Sequence, residues 1–343
     1  NRTTPVLSAP PSDGHQPTDA LQIEPSDDPW LVADVGGTHA RIGVYQPTLG
    51  LQQTMLFTNG QFPSMPALFD EYRRRTSLSA SRMLLAIALP ETSLTLKMTN
   101  RAWHVDPHEL RQQSRLRQLY VVNDFAAAVA AVPRLGDAQL QTVQPGTESS
   151  GPIVLLGPGT GLGVAAALRI DDRWRVLPSE AGHMSVGSGD AKIDAIVDRA
   201  RESRGRVSWE RLLSGPGLAW LDAELNGTAL MSAADVAQRA LSGHQASLET
   251  LHLFSHCLGE FAGDVCLAMR ALGGVYLTGG VLDGIEQGFS IDRFLSGFRS
   301  KGRFEAMLRQ VAVWRVLAHD LGLLGAVAIV KGDAIVPGLR VCE

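Results

Sequence analysis

Two glycine-rich turns in the sequence have residue types that could hold phosphate groups. The first, DVGGT, lies between two apolar strand patterns. Gly36, Gly37 and Thr38 would present backbone N–H groups and one hydroxyl, with no Cβ atom at the glycines to keep a phosphate away. Asp34 could bind Mg²⁺ directly or through water, because Mg²⁺ prefers one or two carboxylates together with substrate phosphates. Taken alone, this stretch is explained equally well as a plain Gly-Gly hairpin with a buried, hydrogen-bonded Asp.

A second turn of the same kind favours the phosphate interpretation. The stretch GPGTGLG contains Gly159, Thr160 and Gly161 between two further strand patterns. It leads into a strand instead of a helix, and G-x-x-x-x-G-K-[ST] is absent, so neither a dinucleotide fingerprint nor a P-loop is indicated. Two such hairpins that face one another predict a nucleotide cleft between two related halves. A third turn at Gly279 and Gly280 could lie against an adenosine, although an ordinary strand-end turn is the commoner explanation.

Candidate acids, bases and hydrogen-bonding groups follow a buried strand pattern and lie in two later loops. Asn123 and Asp124 end the strand QLYVVND, and α/β folds place reacting groups at the carboxyl ends of strands. Asp124 could instead be the N-cap of the helix FAAAVAAV. Glu180 and His183 occur in PSEAGH, where a single His without a third ligand nearby does not indicate a metal site. Glu210 in SWERLLSG could equally be a first-turn carboxylate favoured by the helix macrodipole.

The elements that must hold these residues alternate between strands and helices. Residues 30–58 have the pattern of a three-stranded hairpin meander, and the strand, glycine turn, strand pattern returns from Pro152. Helices are predicted over 65–75 and, with an Asp cap and Pro at the first position, over 107–116. After residue 190 the pattern is mostly helical, before the strands GVYL and VAVWRVLA and a last helix, LGLLGAVAIVKG. The sequence therefore predicts an α/β protein that repeats one architectural unit.

Length, composition and charge limit the class of protein. The 343 residues are 45% hydrophobic, which suits two domains with real cores. A net charge of −4 and the lack of Lys or Arg blocks make nucleic acid an unexpected partner. No apolar run reaches the ~18 residues needed to span a membrane. The sequence has 3 cysteines without metal-site spacing, so a reduced, cytoplasmic setting is predicted.

The first 29 residues are dense in Pro, Ser, Thr and Asp and contain few large apolar side chains. Such a segment cannot bury enough surface to order itself, so residues 1–29 are predicted to be a flexible tail. It lacks the basic start and apolar centre of a secretory signal. Because the sequence opens on Asn1 instead of Met, targeting stays an open question.

An ordered set of motifs resembles the bacterial glucokinases of the hexokinase/actin-like ATPase superfamily. The motifs are DVGGTHAR, VVNDFAAA, GPGTGLGVA, PSEAGH, SWERLLSGPGL and YLTGGV, and the resemblance covers residues 30 to 330. As a set they are highly specific, whereas any one alone would not be. The resemblance implies an actin-like ATPase (ribonuclease H-like) α/β fold, with two related domains around a nucleotide/sugar cleft. It implies a small domain of residues 30–134 plus 319–343 and a large domain of residues 135–318.

The resemblance also implies a role for each candidate residue and a substrate pair of ATP and D-glucose. Asp124 looks like the general base that takes the proton from the sugar 6-hydroxyl, and ATP and Mg²⁺ would sit in the cleft, where Asp34 is the candidate metal ligand. The implied sugar contacts are Asn123, Asp124, Glu180, His183 and Glu210. The implied ATP contacts are Gly36, Gly37, Thr38, Gly159, Thr160, Gly161, Gly279 and Gly280. A cytoplasmic homodimer that performs the first step of glycolysis is expected.

Three departures from the family pattern leave the sugar preference open. His39 stands where the family commonly has Asn, and Ser179 and Ala181 replace glycines beside the glutamate. A kinase for mannose, glucosamine or N-acetylmannosamine is therefore the alternative enzyme, and donors other than ATP stay open. The alternative outside enzymes is a noncatalytic module whose cleft closes on ATP. Such a module would have no use for the five sugar residues together, so the enzyme is favoured.

Overall fold

The computed structural model describes Ile23 and residues 27–77, 80–88, 96–97 and 103–342. Two mixed β-sheets, one of six and one of seven strands, carry most of these residues together with the helices that cover them. Among the described residues, no helix combines the length and apolar character needed to cross a bilayer.

Five of the six strands of the first sheet come from residues 30–123. Its central strand β1 runs antiparallel to β2 and parallel to β4, so the predicted meander is continued by a parallel crossover. Helix α2 is shorter than predicted, because the chain leaves the helix at Ser114 and Arg115 adopts a left-handed φ of 53°. The elements are β1 (Trp30–Val35), β2 (His39–Gln46), β3 (Gly50–Thr58), α1 (Met65–Thr76), β4 (Arg82–Ile87), β5 (Leu96–Lys97), β6 (His104–Val105), α2 (Pro107–Gln113), β7 (Gln118–Asn123) and α3 (Asp124–Ala131).

The second sheet begins with the predicted second cycle of strand, glycine turn and strand. Strands β9 and β10 pair antiparallel in a register that puts Leu162 opposite Pro158, which makes GPGTGLG a tight hairpin. Strand β11 continues the meander beside β10. The strands are β8 (Leu140–Gln144), β9 (Ile153–Pro158), β10 (Leu162–Ile170) and β11 (Arg173–Ser179).

A helical segment follows, as the sequence predicts, and it contains one helix that the sequence reading did not include. Helix α6 begins with Gly-Pro-Gly, which has the composition of a turn, but Ser214 caps it and Pro216 lies in its first turn. Helix α8 buries 15 of its 25 residues, and its apolar side chains belong to one cluster with those of the second sheet. The helices are α4 (Ala191–Arg204), α5 (Trp209–Leu212), α6 (Gly215–Asn226), α7 (Ala233–Leu241) and α8 (Gln245–Met269).

The C-terminal segment contributes to both sheets. The remaining elements are β12 (Gly274–Leu277), α9 (Gly280–Gly284), α10 (Ile291–Arg299), α11 (Glu305–Leu308), β13 (Val313–Val316), α12 (Leu321–Val330), β14 (Ala334–Ile335) and β15 (Arg340–Cys342). The first sheet has the order β15-β7-β4-β1-β2-β3, and the second has the order β14-β11-β10-β9-β12-β13-β8. Strand β14 therefore joins the second sheet and β15 the first, so residues 334–342 connect the two sheets.

Helices α3 and α12 pack between the sheets. Both helices and strands of both sheets supply side chains to one apolar cluster. At the crossing, a Cβ atom on Gly325 would overlap the backbone carbonyl of Ala127, so glycine allows the two backbones to touch. Because α3 begins at Asp124 and α12 begins beside Asp34, this contact fixes the relative position of two candidate site residues.

The described part of the N-terminal segment differs from the predicted flexible tail. Ile23 is only 7% exposed and belongs to the cluster around α3 and α12. Asp28 accepts a 2.6 Å hydrogen bond from Arg82, whose guanidinium lies 4.8 Å from the centre of the Trp30 ring. An apolar anchor and an ion pair therefore hold this segment at two points. Residues 1–22 and 24–26, which also belong to the predicted tail, lie outside the described residues.

Candidate active site

The first glycine turn, between β1 and β2, is supported from behind by a buried asparagine. The Gly36 N–H donates to the His39 carbonyl at 3.0 Å. The Asn59 side chain is fully buried and donates to the Gly36 carbonyl at 2.8 Å. The Asn59 backbone N–H donates to the Thr38 carbonyl at 2.9 Å. These bonds occupy turn carbonyls and leave Thr38 exposed. Sequence reasoning missed Asn59, because Thr-Asn-Gly after a strand has only the signature of another turn.

The second turn, between β9 and β10, is closed by its own backbone and tied to a helix. The Gly159 N–H donates to the Gly161 carbonyl at 2.8 Å, and the Gly159 carbonyl accepts from the Gly215 N–H at 2.8 Å. Gly215 is the first residue of α6, so the end of that helix supports the hairpin. Thr160, at the tip, is exposed.

The third turn lies directly against the second. Gly279 has a left-handed φ of 113°, and a Cβ atom there would overlap the Pro158 carbonyl at the end of β9. Gly280 begins α9, and a Cβ atom at that position would meet nothing within 4 Å. The backbone φ and the close approach therefore explain the glycine at position 279, whereas position 280 has room for a side chain.

Asp34 lies at the end of β1 against the first turn of α12. A Cβ atom on Gly322 would lie 2.5 Å from the Asp34 carboxyl carbon, so this glycine leaves space for the carboxylate. Burial, and then the negative charge of Asp124, raise the pKa of Asp34 from 3.8 to about 6. Arg41 opposes this shift and Asp320 adds to it. The site therefore holds more negative than positive charge.

This charge balance fits a hard divalent cation such as Mg²⁺. Carboxylate oxygens are its preferred protein ligands, and a cation beside Asp34 would offset the charge that now raises its pKa. Among the described residues, no group of three or more His, Cys, Asp or Glu side chains has the arrangement of a complete metal site. The residues therefore fit a Mg²⁺ ion that takes its other ligands from water and substrate phosphates.

Asn123 and Asp124, at the junction of β7 and α3, have different roles. Asn123 is the N-cap of α3, because its Oδ1 accepts from the N–H groups of Phe125 at 3.0 Å and Ala126 at 3.1 Å. Asp124 is the first helical residue, and its Oδ1 also accepts from Phe125 at 2.9 Å. Burial raises the pKa of Asp124, nearby backbone N–H groups lower it, and Glu180 raises it. The suggestion that Asp124 is the cap is thus wrong, since Asn123 has that role.

Two of the predicted sugar carboxylates lie on either side of the imidazole of a third predicted sugar residue, His183. His183 Nε2 lies 3.8 Å from Glu180 Oε2, and His183 Nδ1 lies 3.9 Å from Glu210 Oε1. The Glu180 and His183 side chains are 68% and 53% exposed, so both remain open to a ligand. Because Glu180 also affects the pKa of Asp124, the loop residues and the end of β7 face one common region.

Phe125 joins that region to the second glycine turn. A Cβ atom on Gly157 or on Gly163 would overlap the Phe125 ring, so both glycines make room for the aromatic side chain. Both glycines flank the predicted phosphate contacts Gly159, Thr160 and Gly161 within the stretch GPGTGLG. At these two positions the observed reason is instead side-chain packing, and Phe125 itself was missed because Asn-Asp-Phe carries no distinguishing pattern.

A cavity of about 190 Å³ opens beside the second turn. It is lined by Thr160, Val207, Glu210, Arg211, Ser214, Pro216, Gly217 and Trp220. Since Thr160 belongs to the hairpin and Glu210 to the group around His183, the cavity adjoins both candidate subsites.

Comparison with known proteins decides the family. Residues 31–332 match the family model described as Glucokinase. The chain belongs to the Glucokinase family. It is 34% identical over 313 residues to the glucokinase of Psychromonas ingrahamii, which covers 88% of this chain and 96% of that protein. It is 33% identical over 326 residues to a bifunctional protein glk of Burkholderia pseudomallei, covering 93% of this chain but 51% of that protein, so the chain spans about half of that relative's length.

Solved structures of glucokinases share the fold. A glucokinase from an Antarctic psychrotroph superposes with a TM-score of 0.77 at 32% identity and covers 89% of this chain and 99% of that one. A glucokinase from Balamuthia mandrillaris, at 18% identity, gives a TM-score of 0.72 and covers 89% of this chain and 94% of that one. The predicted actin-like ATPase α/β fold is therefore confirmed. The glucokinase match includes every candidate residue named above.

Proposed function

We propose that this chain transfers the γ-phosphoryl group of ATP to the 6-hydroxyl of D-glucose. The observation that carries the proposal is the position of Asp124. Asp124 begins α3, whose contact with α12 brings it near Asp34 at the first glycine turn. Burial, and then the negative charge of Glu180 in the loop around His183, raise the pKa of Asp124. A carboxylate between a phosphate-type turn and a group of hydroxyl-binding side chains suits phosphoryl transfer to an alcohol.

In the proposed reaction Asp124 takes the proton of the sugar 6-hydroxyl while that oxygen bonds to the γ-phosphorus and the bond to ADP breaks. A raised pKa helps, because a general base is most effective when its pKa approaches the working pH. Glu180 and Glu210 would accept hydrogen bonds from sugar hydroxyls, and His183 can donate or accept. The caps and backbone bonds at the end of β7 hold Asn123 and Asp124 in place before the sugar arrives.

The glycine turns are the proposed nucleotide site. Exposed Thr38 and Thr160 at their tips, with the neighbouring N–H groups, would contact phosphate oxygens. Gly279 and Gly280 would lie on the adenosine side. Asp34 would hold Mg²⁺, which when bound offsets the negative charge of the phosphates during transfer.

The cellular setting and assembly belong to the same proposal. A reduced cytoplasmic location is supported by Cys257, Cys266 and Cys342, which are all free and buried. The homodimer rests on the family resemblance, as does the place of the reaction at the start of glycolysis. The negative overall charge gives no support to a nucleic-acid partner.

Another hexose is the second candidate substrate, because two of the three family departures, Ser179 and Ala181, flank the proposed sugar contact Glu180. The Ser179 hydroxyl accepts from the Ala181 N–H at 3.2 Å and so closes the turn around Glu180. Glycine at either position would leave that turn freer. Mannose, glucosamine and N-acetylmannosamine are thus the relevant competitors for glucose.

A coupled assay of the purified chain tests the proposal. The panel contains glucose and the three competing hexoses, each with ATP, ADP or polyphosphate as the donor. The proposal expects the highest kcat/KM for glucose with ATP, and it expects activity to require Mg²⁺. No phosphorylation of any hexose, combined with ATP binding, would leave the noncatalytic module as the better description.

A further inference from the structure

One buried carboxylate has no place in the reaction described above. Glu260 lies in the middle of α8 and is 5% exposed. Its Oε2 accepts a 2.5 Å hydrogen bond from the Ser188 hydroxyl, and its Oε1 accepts a 2.8 Å hydrogen bond from the Gly189 N–H. His256, one turn earlier, places Nε2 at 3.8 Å from Oε1. A buried charge in a helix interior is costly unless it has such partners.

Both hydrogen-bond donors belong to residues 184–190, the loop that leaves the sugar cluster and enters α4. The Ser188 hydroxyl also accepts from the Asp190 N–H at 3.1 Å. Asp190 in turn caps α4, with its Oδ1 accepting from Lys192 at 2.8 Å and Ile193 at 3.2 Å. One carboxylate therefore fixes the far end of the loop and, through Ser188, the residue that starts the next helix.

The near end of the same loop is fixed by the chain that leads to Glu210. Val186 donates to the Val207 carbonyl at 3.0 Å, and the Trp209 N–H donates to the Met184 carbonyl at 2.9 Å. Arg206 also donates to the His183 carbonyl at 2.5 Å. The loop thus runs as a short bridge between His183 and α8, with the residues before Glu210 paired along its side.

We propose that Glu260 is a positioning residue for sugar binding. Its carboxylate fixes the position of residues 184–190 through its hydrogen bonds with Ser188 and Gly189. His183 and the paired segment before Glu210 therefore keep the spacing that the sugar requires. Glu260 touches no substrate. The inference rests on the proposed function, because it assigns the loop's end residues to the sugar.

The Glu260→Gln variant tests this inference. Gln keeps the size of the side chain, but it removes the charge that strengthens both hydrogen bonds, and it forces the Ser188 hydroxyl to accept from an amide instead of donating to a carboxylate. The expected result is a rise in KM for glucose of about tenfold, the size of one charged hydrogen bond. KM for ATP should stay within about twofold, because the bonds that close the second glycine turn do not involve α8.

Glu249→Gln on the same helix is the matched control. Glu249 is 47% exposed and lies 3.7 Å from His252, so the control removes a similar His and Glu pair without touching the loop. Its kinetic constants should match the wild type. Ser188→Ala, which leaves Glu260 in place, should raise KM for glucose by a smaller factor and covers the case in which Glu260→Gln fails to fold.

Hydrogen exchange separates this inference from the proposed function. Backbone amides of residues 183–190 should exchange faster in Glu260→Gln than in the wild type and be unchanged in Glu249→Gln. A lowered melting temperature with unchanged KM for glucose and unchanged exchange would show a purely structural role and overturn the inference. A wild type that phosphorylates no hexose would overturn the proposed function, while the exchange result would still decide whether Glu260 holds the loop.

Discussion

Glu210 Oε2 accepts a 3.0 Å hydrogen bond from the backbone N–H of Leu162. Leu162 follows the tip of the second glycine turn, and the other oxygen of the same carboxylate faces His183 at 3.9 Å. One side chain therefore contacts both the turn proposed for phosphate and the group proposed for the sugar. The two proposed subsites share a physical part, so a change in one is expected to reach the other.

The Gly161→Ala variant should weaken glucose binding from the nucleotide side. A Cβ atom on Gly161 would lie 2.5 Å from Glu210 Oε2, the oxygen that accepts from the Leu162 N–H, so the carboxylate must shift and this hydrogen bond is disturbed. The loss of one hydrogen bond to a charged group corresponds to a rise in KM for glucose of roughly tenfold or more. Steady-state kinetics with glucose as the varied substrate measure it.

Gly159→Ala provides the comparison for this variant. A Cβ atom on Gly159 would meet nothing within 4 Å, so Glu210 should keep its position. Gly159→Ala should therefore alter KM for ATP only. Equal effects of the two variants on KM for glucose would show that Glu210 does not link the subsites.

The Asp124→Asn variant should keep its fold and lose turnover. Asn123 supplies the cap of α3, and an Asn at position 124 can still accept from Phe125, so stability should change little. Without a base for the 6-hydroxyl proton, kcat should fall by at least ~10²-fold. Stopped assays at saturating glucose and ATP, with circular dichroism as the check on folding, measure both.

The pH profile of the wild type gives a second test of Asp124. Burial raises the pKa of this carboxyl, so the acid side of the kcat profile should lie above the range of an ordinary Asp. Activity is expected to fall as the pH drops through that value, because the protonated acid cannot accept the 6-hydroxyl proton. A folded Asp124→Asn protein with near-normal turnover would show that another residue is the general base, and Glu180 would be the next residue to replace.

Local patterns in the sequence predicted the features that depend on neighbouring residues. Strand alternation around two glycine turns gave the β1-β2 and β9-β10 hairpins, and an Asp-Pro pair gave the start of α2. Glycine and proline restrict the backbone directly, so their effect is visible without knowledge of the fold. The same local rule failed at α6. Gly-Pro-Gly has the composition of a turn, but here it opens a helix that tertiary packing stabilises.

Residues that act through distant contacts could not be predicted. Asn59 supports a turn that lies 23 positions earlier in the chain, and Glu260 holds a loop that lies 71 or 72 positions earlier. Phe125 fills space left by Gly157 and Gly163, a relation that exists only after α3 packs on the second sheet. No local pattern distinguishes such residues, because a helix interior or a turn with the same composition is common.

The Asp28→Asn variant should destabilise the chain although Asp28 lies in the segment predicted to be a tail. The Arg82 side chain is 7% exposed and the Asp28 side chain is 58% exposed. The exposure of this ion pair is therefore intermediate between that of a surface pair and that of a buried pair. The unfolding free energy is expected to fall by about 1 to 2 kcal/mol. This is less than a fully buried ion pair would contribute, because solvent screens the exposed side of Asp28. Chemical denaturation measures it.

Asp27→Asn is the matched control for Asp28→Asn, since Asp27 is the exposed neighbour. It should leave the unfolding free energy within about 0.5 kcal/mol of the wild type, as expected for a surface change. If both variants were equally stable, the contact of Asp28 with Arg82 would contribute nothing measurable, and the described end of the segment would behave as the sequence predicts.

Asp34→Asn should stabilise the protein at neutral pH while it abolishes activity. The pKa of Asp34 is about 6 in the folded chain against 3.8 for an ordinary Asp. A raised folded pKa means that the folded state binds the proton more tightly, so this contribution to stability is full below pH ~4 and lost as the pH rises through ~6. The ionised carboxylate therefore costs about 1 to 3 kcal/mol above that range, and an uncharged Asn avoids the cost.

The measurement is the unfolding free energy of wild type and Asp34→Asn between pH 5 and pH 8. The advantage of the variant should grow with pH, whereas Asp137→Asn, an exposed aspartate before β8, should show a difference that does not change with pH. Mg²⁺ should raise the melting temperature of the wild type at pH 8 but not that of Asp34→Asn, because the cation offsets the charge only when the carboxylate is present. An advantage that is independent of pH would mean that the pKa of Asp34 is not raised in the folded chain. A Mg²⁺ effect that survives the substitution would mean that Asp34 does not hold the ion.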